Sequence, residues 1–322
     1  MLLTFEQKLL TLSFVVLALV GQQDSCVASI VYSANFDGGT VSKIDNGNVS
    51  TFASGLNGPL GILVDPNGNV FVSSSVDGTV HKFSSSGTDL GIFAHITATN
   101  NFGDPIGAGG IAMDASGNMY VGESGFSTGD TNGDIHKYSP NGVEEPRVFA
   151  HMEFHAFPNF GTATYFGMSF DQSGNLWATN EFFSQVYKFS PQGATLLIEN
   201  VGEAFGLAIA PSGDAYVGRY DGVIEKYSST GVDLGAFASI GIGPTTTGLA
   251  FDANGTLYAS FYETGEIHRF SPSGTDLGVF ASGLGGPLGL AFAPVTAVPE
   301  PSSLTLFAIG TVAFFAMTAR RR

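Results

Sequence analysis

Short apolar runs alternate with clusters of Gly, Asn, Asp and Ser from about residue 30 to about residue 294. In one unit the apolar runs cover residues 61–65, 70–74, 79–83 and 90–94. The residues between them favour the backbone angles and local hydrogen bonds of tight turns. The pattern predicts units of four short antiparallel strands, which is the composition of a propeller blade.

A basic residue in the third run of each unit repeats at intervals of about 40 residues, a period typical of repeat architectures. The six members of this basic column are Lys43, Lys82, Lys137, Lys188, Lys226 and Arg269. They are half of the 12 lysines and arginines in the chain. We therefore interpret the basic column as part of the scaffold, one residue per blade.

Two further columns fit the same period. A glycine opens the first strand of each unit, where close approach of another backbone is expected: Gly61, Gly110, Gly167, Gly206, Gly248 and Gly289. An aspartate follows this strand in four units: Asp65, Asp114, Asp171 and Asp252. We interpret the aspartates as turn caps that can also pair with a lysine of the basic column.

The two ends of the repeat region complement each other. Residues 286–294 match the first strand of a unit and then stop, whereas residues 30–53 supply the other three strands. Together they complete one blade and remove the exposed edges of an open ring. We predict an all-β protein with one domain, residues 29–294. This domain is a six-bladed β-propeller of four-stranded antiparallel blades, closed by the N- and C-terminal strands.

The units resemble a known repeat family. Residues 110–121 followed by residues 133–138 are similar to NHL-type repeats, and the whole repeat region resembles the six-bladed propellers of the gluconolactonase-like and streptogramin-lyase-like families. This resemblance is specific for the fold. It is weak for function, because propellers support many activities.

The N-terminus predicts export. Lys8 precedes an apolar run over residues 9–20, and the small residues before Ser29 suit cleavage after Ala28. The run is short for a permanent membrane span, which is the alternative. Residues 1–28 are therefore predicted to be a helical signal peptide. Cleavage there would remove Cys26, the only cysteine in the chain.

The C-terminus carries a second sorting pattern over residues 295–322. Pro299, Glu300 and Pro301 precede an apolar stretch over residues 304–319, and Arg320, Arg321 and Arg322 end the chain. This arrangement resembles the PEP-CTERM signal of bacteria. The resemblance implies an exosortase partner, transient anchoring by a helix, processing near the Pro-Glu-Pro motif, and a final location at the cell surface or outside the cell. A permanent anchor is the alternative reading of the same tail.

The charge of the chain limits its partners. The formal net charge is -16, and removal of the predicted tail takes away three arginines. So acidic a protein is a poor partner for DNA, RNA or anionic polysaccharide. Divalent cations, neutral glycans and proteins remain as candidate ligands.

Three insertions interrupt the repeat at residues 96–107, 124–133 and 152–162. Strand parity places all three on one side of the ring, and long loops on a rigid scaffold are a common place for binding. The candidate ligand-binding residues lie outside the repeat columns and beside these insertions: His95, His151, Phe154, His155 and Phe157. Histidines within the columns, including His136, are assigned to the strands.

Acidic and amide side chains in the same region indicate a second possibility. Asp130, Asn132 and Asp134 resemble the beginning of a calcium loop, although the distal glutamate of that motif is absent. A hairpin that needs Asn and Gly for its turn explains the same residues. Glu123, Asn180 and Glu181, at the ends of second strands, are a further candidate for a weak cation site, and surface or inter-blade hydrogen bonding is the alternative for them. No cofactor is assigned, and calcium is the candidate ion for either site.

Two functions follow from these observations. The first is an exported, non-enzymatic binding module at the cell surface or in the extracellular matrix. The alternative is a calcium-dependent enzyme of the lactonase-like or lyase-like kind, with its site in the central channel. The sequence contains no nucleophile elbow, phosphate loop or metalloprotease helix, so no catalytic residue is assigned.

Overall fold

The computed structural model is a ring of six four-stranded sheets. It describes residues 30–99, 103–125, 133–147, 149–151, 164–190, 193–198, 200–241 and 243–294. The sheets are numbered here as blades one to six in chain order. This architecture confirms the predicted all-β propeller with antiparallel blades.

The first three blades contain the following strands. Blade one contains β1 (Ile30–Asn35), β2 (Thr40–Asp45), β3 (Asn48–Ser54) and β24 (Pro287–Phe292). Blade two contains β4 (Pro59–Val64), β5 (Val70–Ser74), β6 (Thr79–Phe83) and β7 (Asp89–His95). Blade three contains β8 (Gly107–Met113), β9 (Met119–Ser124), β10 (Asp134–Tyr138) and β11 (Ala150–His151).

The other three blades follow the same plan. Blade four contains β12 (Tyr165–Phe170), β13 (Leu176–Asn180), β14 (Gln185–Ser190) and β15 (Gly193–Ile198). Blade five contains β16 (Ala204–Ile209), β17 (Ala215–Arg219), β18 (Val223–Tyr227) and β19 (Asp233–Ser239). Blade six contains β20 (Thr246–Phe251), β21 (Leu257–Phe261), β22 (Glu266–Phe270) and β23 (Asp276–Ala281).

Blade one closes the ring as the sequence predicts. Its strand order is β24-β1-β2-β3, so the last described strand becomes the innermost strand of the blade that the first described strand begins. Ser33 of β1 lies opposite Leu290 of β24, and the Ala293 amide donates a hydrogen bond to the Ile30 carbonyl. Because both ends share one sheet, neither leaves an open edge at the junction.

The glycine column permits close packing of the innermost strands. A Cβ atom on Gly110 would lie 2.5 Å from the Phe166 carbonyl oxygen of the next blade. A Cβ atom on Gly289 would lie 2.5 Å from the Leu60 carbonyl oxygen. Any larger residue would therefore push neighbouring blades apart, which explains why these positions hold glycine.

Four of the six basic-column residues lie over aromatic rings of the second strands, namely Lys82, Lys137, Lys188 and Lys226, and Arg269 lies over the Phe280 ring of β23. The Lys188 ammonium lies 4.8 Å from the centre of the Trp177 ring and 3.1 Å from an Asp171 carboxylate oxygen. In blade five, where Ala210 replaces the aspartate of the column, Lys226 pairs with Asp214 at 3.0 Å. These contacts agree with the interpretation of the column as scaffold.

The aromatic residues also pack edge to face between neighbouring blades. Tyr216 on β17 contacts Phe237 of its own blade and Phe251 of blade six, with ring centres 4.8 Å and 4.9 Å apart. Such pairs add stability beyond the burial of their area. The same arrangement recurs around Tyr258, so the core is a repeated inter-blade layer.

The aspartate column caps the turn after the first strand. One carboxylate oxygen of Asp65 accepts hydrogen bonds from the amides of Asn67 and Asn69, at 2.9 Å and 2.8 Å. Asp114 accepts the same pair of bonds from Ser116 and Asn118. The predicted capping role is confirmed.

The predicted helical signal segments, residues 1–28 and 295–322, lie outside the described residues. Within the described part of the chain, no helix has the length and apolar character needed to cross a membrane.

Candidate functional site

The central channel is an apolar funnel of about 480 Å³, lined by residues of the innermost strands. Its narrow end is blocked by four buried side chains, Leu60, Phe166, Phe205 and Leu288. The rings of Phe166 and Phe205 meet edge to face, with centres 4.9 Å apart. The other end, toward the turns that follow the first strands, is more exposed to solvent.

Polar groups are scarce in this funnel. None of the described residues that line it has a carboxylate, imidazole or amide side chain, and the hydroxyl groups among them belong to Ser169 and Thr247. The Thr247 hydroxyl already donates a hydrogen bond of 2.6 Å to the Pro287 carbonyl. Among the described residues, the funnel therefore offers no cluster of oxygen and nitrogen ligands for a cation.

The described ends of the insertions lie on the rim at the narrow end of the channel. The Ile96 amide donates to the Gly78 carbonyl, which joins the inter-blade segment before blade three to the turn between β5 and β6. The Gly125 amide donates to the Thr164 hydroxyl at 3.1 Å, which joins the two later insertions. The described residues at and beside the ends of the insertions, 95–99, 103–107, 123–125, 133–136, 151 and 164, are called the insertion rim.

A compact group of ionisable side chains lies where the insertion rim meets blade three. Glu123 near the end of β9, Asp134 at the start of β10 and His136 place one ligand atom each within 4.8 Å of one another. Glu123 and His136 are buried. Glu144 approaches His136 from the other side, with its carboxylate 2.7 Å from Nδ1.

The charges in this group depend on one another. The His136 Nε2 atom lies 3.3 Å from a Glu123 carboxylate oxygen. Burial lowers the pKa of His136, but its hydrogen bonds and charge interactions with Glu123 and Glu144 outweigh burial, so the net pKa is raised. Glu123 and Glu144 therefore favour the protonated form of the His136 imidazole.

Two other predicted cation ligands lie apart from this group. Strand alternation places Glu123 on the side of β9 that faces blade two, together with Val121. It places Asn180 on the side of β13 that faces blade three, together with Ala178. Burial, followed by the charge of Glu203, raises the pKa of Glu181 to about 7. Glu123 and Asn180 thus occupy different inter-blade interfaces.

The remaining candidates divide into exposed and undescribed positions. His95 is exposed at the end of β7. His151 belongs to β11, which pairs with Asp134. The other predicted binding, metal and sorting residues lie outside the described residues: Asp130, Asn132, Phe154, His155, Phe157, Pro299, Glu300, Pro301, Arg320, Arg321 and Arg322.

His136 is the residue of this site that the sequence analysis assigned to the scaffold. Pairing between neighbouring strands is the signal that identifies His136 as a partner of Glu123. The second-strand position of Glu123 and the third-strand position of His136 are in contact in several blades. The same pair is Arg219 and Glu225 in blade five, with atoms 3.0 Å apart. It is Asn35 and Ser42 in blade one, at 2.8 Å.

Comparison with known proteins identifies the end of the chain. Residues 297–322 match the PEP-CTERM protein-sorting motif. The motif implies a cell-surface protein that is sorted and processed by exosortase-type machinery. No curated protein sequence matches the chain significantly.

Solved structures resemble the propeller. A crystal structure of a nidogen/laminin complex gives a TM-score of 0.65 at 12% identity, covering 82% of this chain and 98% of that chain. A Bacteroides caccae protein of unknown function gives 0.64 at 14% identity, covering 83% and 99%. A streptogramin B lyase gives 0.59 at 15% identity, covering 82% and 84%. At these identities the similarity concerns the fold, and it agrees with the predicted resemblance.

Proposed function

We propose that this PEP-CTERM protein is an exported, non-enzymatic binding module of the cell surface or extracellular matrix. Its ligand is a neutral glycan or another protein, and it binds at the insertion rim. Removal of residues 1–28, transient anchoring through a helix over residues 304–319 and cleavage near Pro299–Pro301 are parts of the same proposal.

The composition of the central channel is the observation that carries the proposal. An enzyme of the lactonase-like or lyase-like kind would need several polar groups that converge on a reacting atom or a cation. The funnel instead has walls of Ile, Leu, Met, Phe, Gly and Ala, and the hydroxyl of Thr247 is already used by the backbone. This lining favours a binding function over chemistry in the channel.

The insertion rim provides the contrasting surface. It combines the exposed His95 with the ionisable group of blade three, and its segments are the longest departures from the repeat. Similar folds occur in a nidogen/laminin complex and in a streptogramin B lyase, so the fold is compatible with either class of function.

The test compares binding with turnover on residues 29–294, which contain all six closed sheets. We expect binding to a neutral glycan or a protein, and no hydrolysis of lactones or cleavage of streptogramin-type substrates with or without Ca²⁺. Turnover that disappears when Ala250→Phe fills the funnel would overturn the proposal in favour of the enzyme.

A further inference from the structure

The ionisable group of blade three has the geometry of a metal centre. Glu123 and Asp134 lie on adjacent strands, next to the pair formed by Gly122 and Ile135. His136 follows Asp134 on the same face of β10, because side chains two residues apart in a strand point the same way. The three ligand atoms lie within 4.8 Å of one another, close enough to surround a single ion.

The orientation of His136 matches that of a metal-bound imidazole. A carboxylate accepts hydrogen bonds, so the 2.7 Å contact with Glu144 makes Nδ1 the donor. Histidines that bind metals usually donate their second ring N–H to a carboxylate or carbonyl in this way. Nε2 is thereby directed toward Glu123, at 3.3 Å, where either a proton or a metal ion must lie between the two atoms.

A second observation indicates a polar ligand at this place. The Tyr138 hydroxyl lies in a side chain that is 1% exposed, and it has no hydrogen-bond partner in the described structure. Tyr138 shares its face of β10 with His136 and Asp134. The carboxylates of Glu144 and Glu123 lie close enough to this hydroxyl to interact with it electrostatically. A buried hydroxyl of this kind is expected to bind a water or another ligand.

Blade six supplies a natural comparison within the same chain. His268 lies between Asp276, 3.2 Å from Nδ1, and Glu266, 3.5 Å from Nε2. These residues correspond to His136, Glu144 and Asp134. At the position of Glu123, however, blade six has Phe261, whose ring meets the imidazole edge to face at 5.4 Å. Blade three therefore differs by the one buried carboxylate that completes the ligand set.

We propose that Glu123, Asp134 and His136 bind one divalent transition-metal ion of the zinc class, with Glu144 as a positioning residue. Two carboxylates and one imidazole in a compact group suit Zn²⁺, which takes a small number of nitrogen and oxygen ligands. Calcium, the candidate ion of the sequence analysis, prefers six to eight oxygen ligands. Zinc is proposed in place of calcium because the group contains an imidazole nitrogen, which Zn²⁺ binds readily.

The position of the ion gives it a role in the proposed binding function, on which this part of the inference rests. Glu123 precedes the insertion over residues 125–133 and Asp134 follows it. An ion shared by both carboxylates would join the two ends of this insertion. It would therefore fix the base of the insertion rim.

The test measures Zn²⁺ binding to residues 29–294 by isothermal titration calorimetry, with a chromophoric chelator as competitor. We expect one equivalent of zinc, bound more tightly than Ca²⁺. Glu123→Gln and His136→Gln should weaken binding at least 100-fold, and Glu144→Gln about 10- to 100-fold, as is usual for partners of metal ligands. His268→Gln is the matched control and should bind zinc normally.

A gain of binding keeps the test informative if a loss variant folds poorly. Phe261→Glu gives blade six the ligand set of blade three and should add a second equivalent of zinc. Zinc bound equally by the wild type, Glu123→Gln and His136→Gln would overturn the proposal, as would no zinc binding by the folded wild type. Because this readout needs no glycan or protein ligand, its failure is distinct from failure of the proposed binding function.

Discussion

Substitution of Lys188 by methionine tests the structural role of the basic column. Methionine keeps most of the aliphatic stem but removes the ammonium group, which lies 4.8 Å from the Trp177 ring centre and 3.1 Å from Asp171. Asp171 would keep its bonds from the Trp177 indole and from the backbone amides of its turn. The change thus removes one cation and leaves the cap in place.

The expected loss of unfolding free energy has two contributions, the cation–π contact with Trp177 and the ion pair with Asp171. A partly desolvated cation–π contact contributes about 0.5 to 2 kcal/mol. The ion pair contributes about 1 kcal/mol after allowance for screening, because the lysine side chain is 22% exposed. We expect unfolding free energy to fall by about 2 kcal/mol. For a chain of this size, the melting temperature should fall by about 4 to 8 °C.

The assay is thermal and urea unfolding of residues 29–294, with Lys43→Met as the control. Lys43 is the column member of blade one, and among the described residues its amine has neither a ring nor a carboxylate partner. Its substitution should change stability by less than about 0.5 kcal/mol. Equal and small effects of both substitutions would refute the scaffold role of the column.

The same pair of proteins has a predictable pH dependence. Burial raises the pKa of Asp171. Hydrogen bonds from Asn175, Trp177, the turn amide and Lys188 together outweigh burial, so the pKa of Asp171 lies below its ordinary value. The resulting stability is present above about pH 4 and is lost as pH falls through the folded pKa. The difference between wild type and Lys188→Met should therefore shrink in acid.

Two further predictions concern the inner ring and a buried acid. Gly110→Ala, which places a Cβ atom 2.5 Å from the Phe166 carbonyl, should reduce unfolding free energy by about 2 kcal/mol or more in a urea titration; an unchanged midpoint would contradict the close-packing argument. Glu181, with a pKa raised to about 7, should destabilise the folded state as pH rises from about 4 to 7. Glu181→Gln should therefore be more stable than the wild type by about 1 to 2 kcal/mol at pH 8, with little difference at pH 5; the opposite order in unfolding curves would show that the carboxylate is stabilised there.

Much of the fold could be predicted because each column repeats at a fixed period. Gly110 and Gly289 mark the same close approach in different blades, and the register of β24 on β1 follows from the incomplete units at the two ends. The hydrogen bonds of a column could also be predicted where the bonding partner is only a few residues away in the sequence. The cap of Asp65, for example, uses amides two and four residues later.

The ionisable group was only partly predictable, because it depends on contacts across strands. Glu123 and Asp134 were candidates from the sequence, but His136 shares a column with Ser42 and Tyr187 and so resembled scaffold. Its difference from His268 comes from one neighbour, Glu123 in place of Phe261. That neighbour is identified by strand pairing, which places residues distant in sequence side by side.

Exchange of one insertion tests whether ligands bind at the insertion rim. Residues 125–133 would be replaced by the short turn of blade two, residues 76–78, which joins the corresponding strands. Glu123 and Asp134 remain in place, so the effect is separate from metal binding. The measurement is the affinity of this variant and of the funnel-filling Ala250→Phe variant for the glycan or protein that the unmodified ring binds. We expect the affinity to fall at least 10-fold for the exchange variant and to stay unchanged for Ala250→Phe. Unchanged affinity of the exchange variant, with a loss for Ala250→Phe, would contradict binding at the insertion rim.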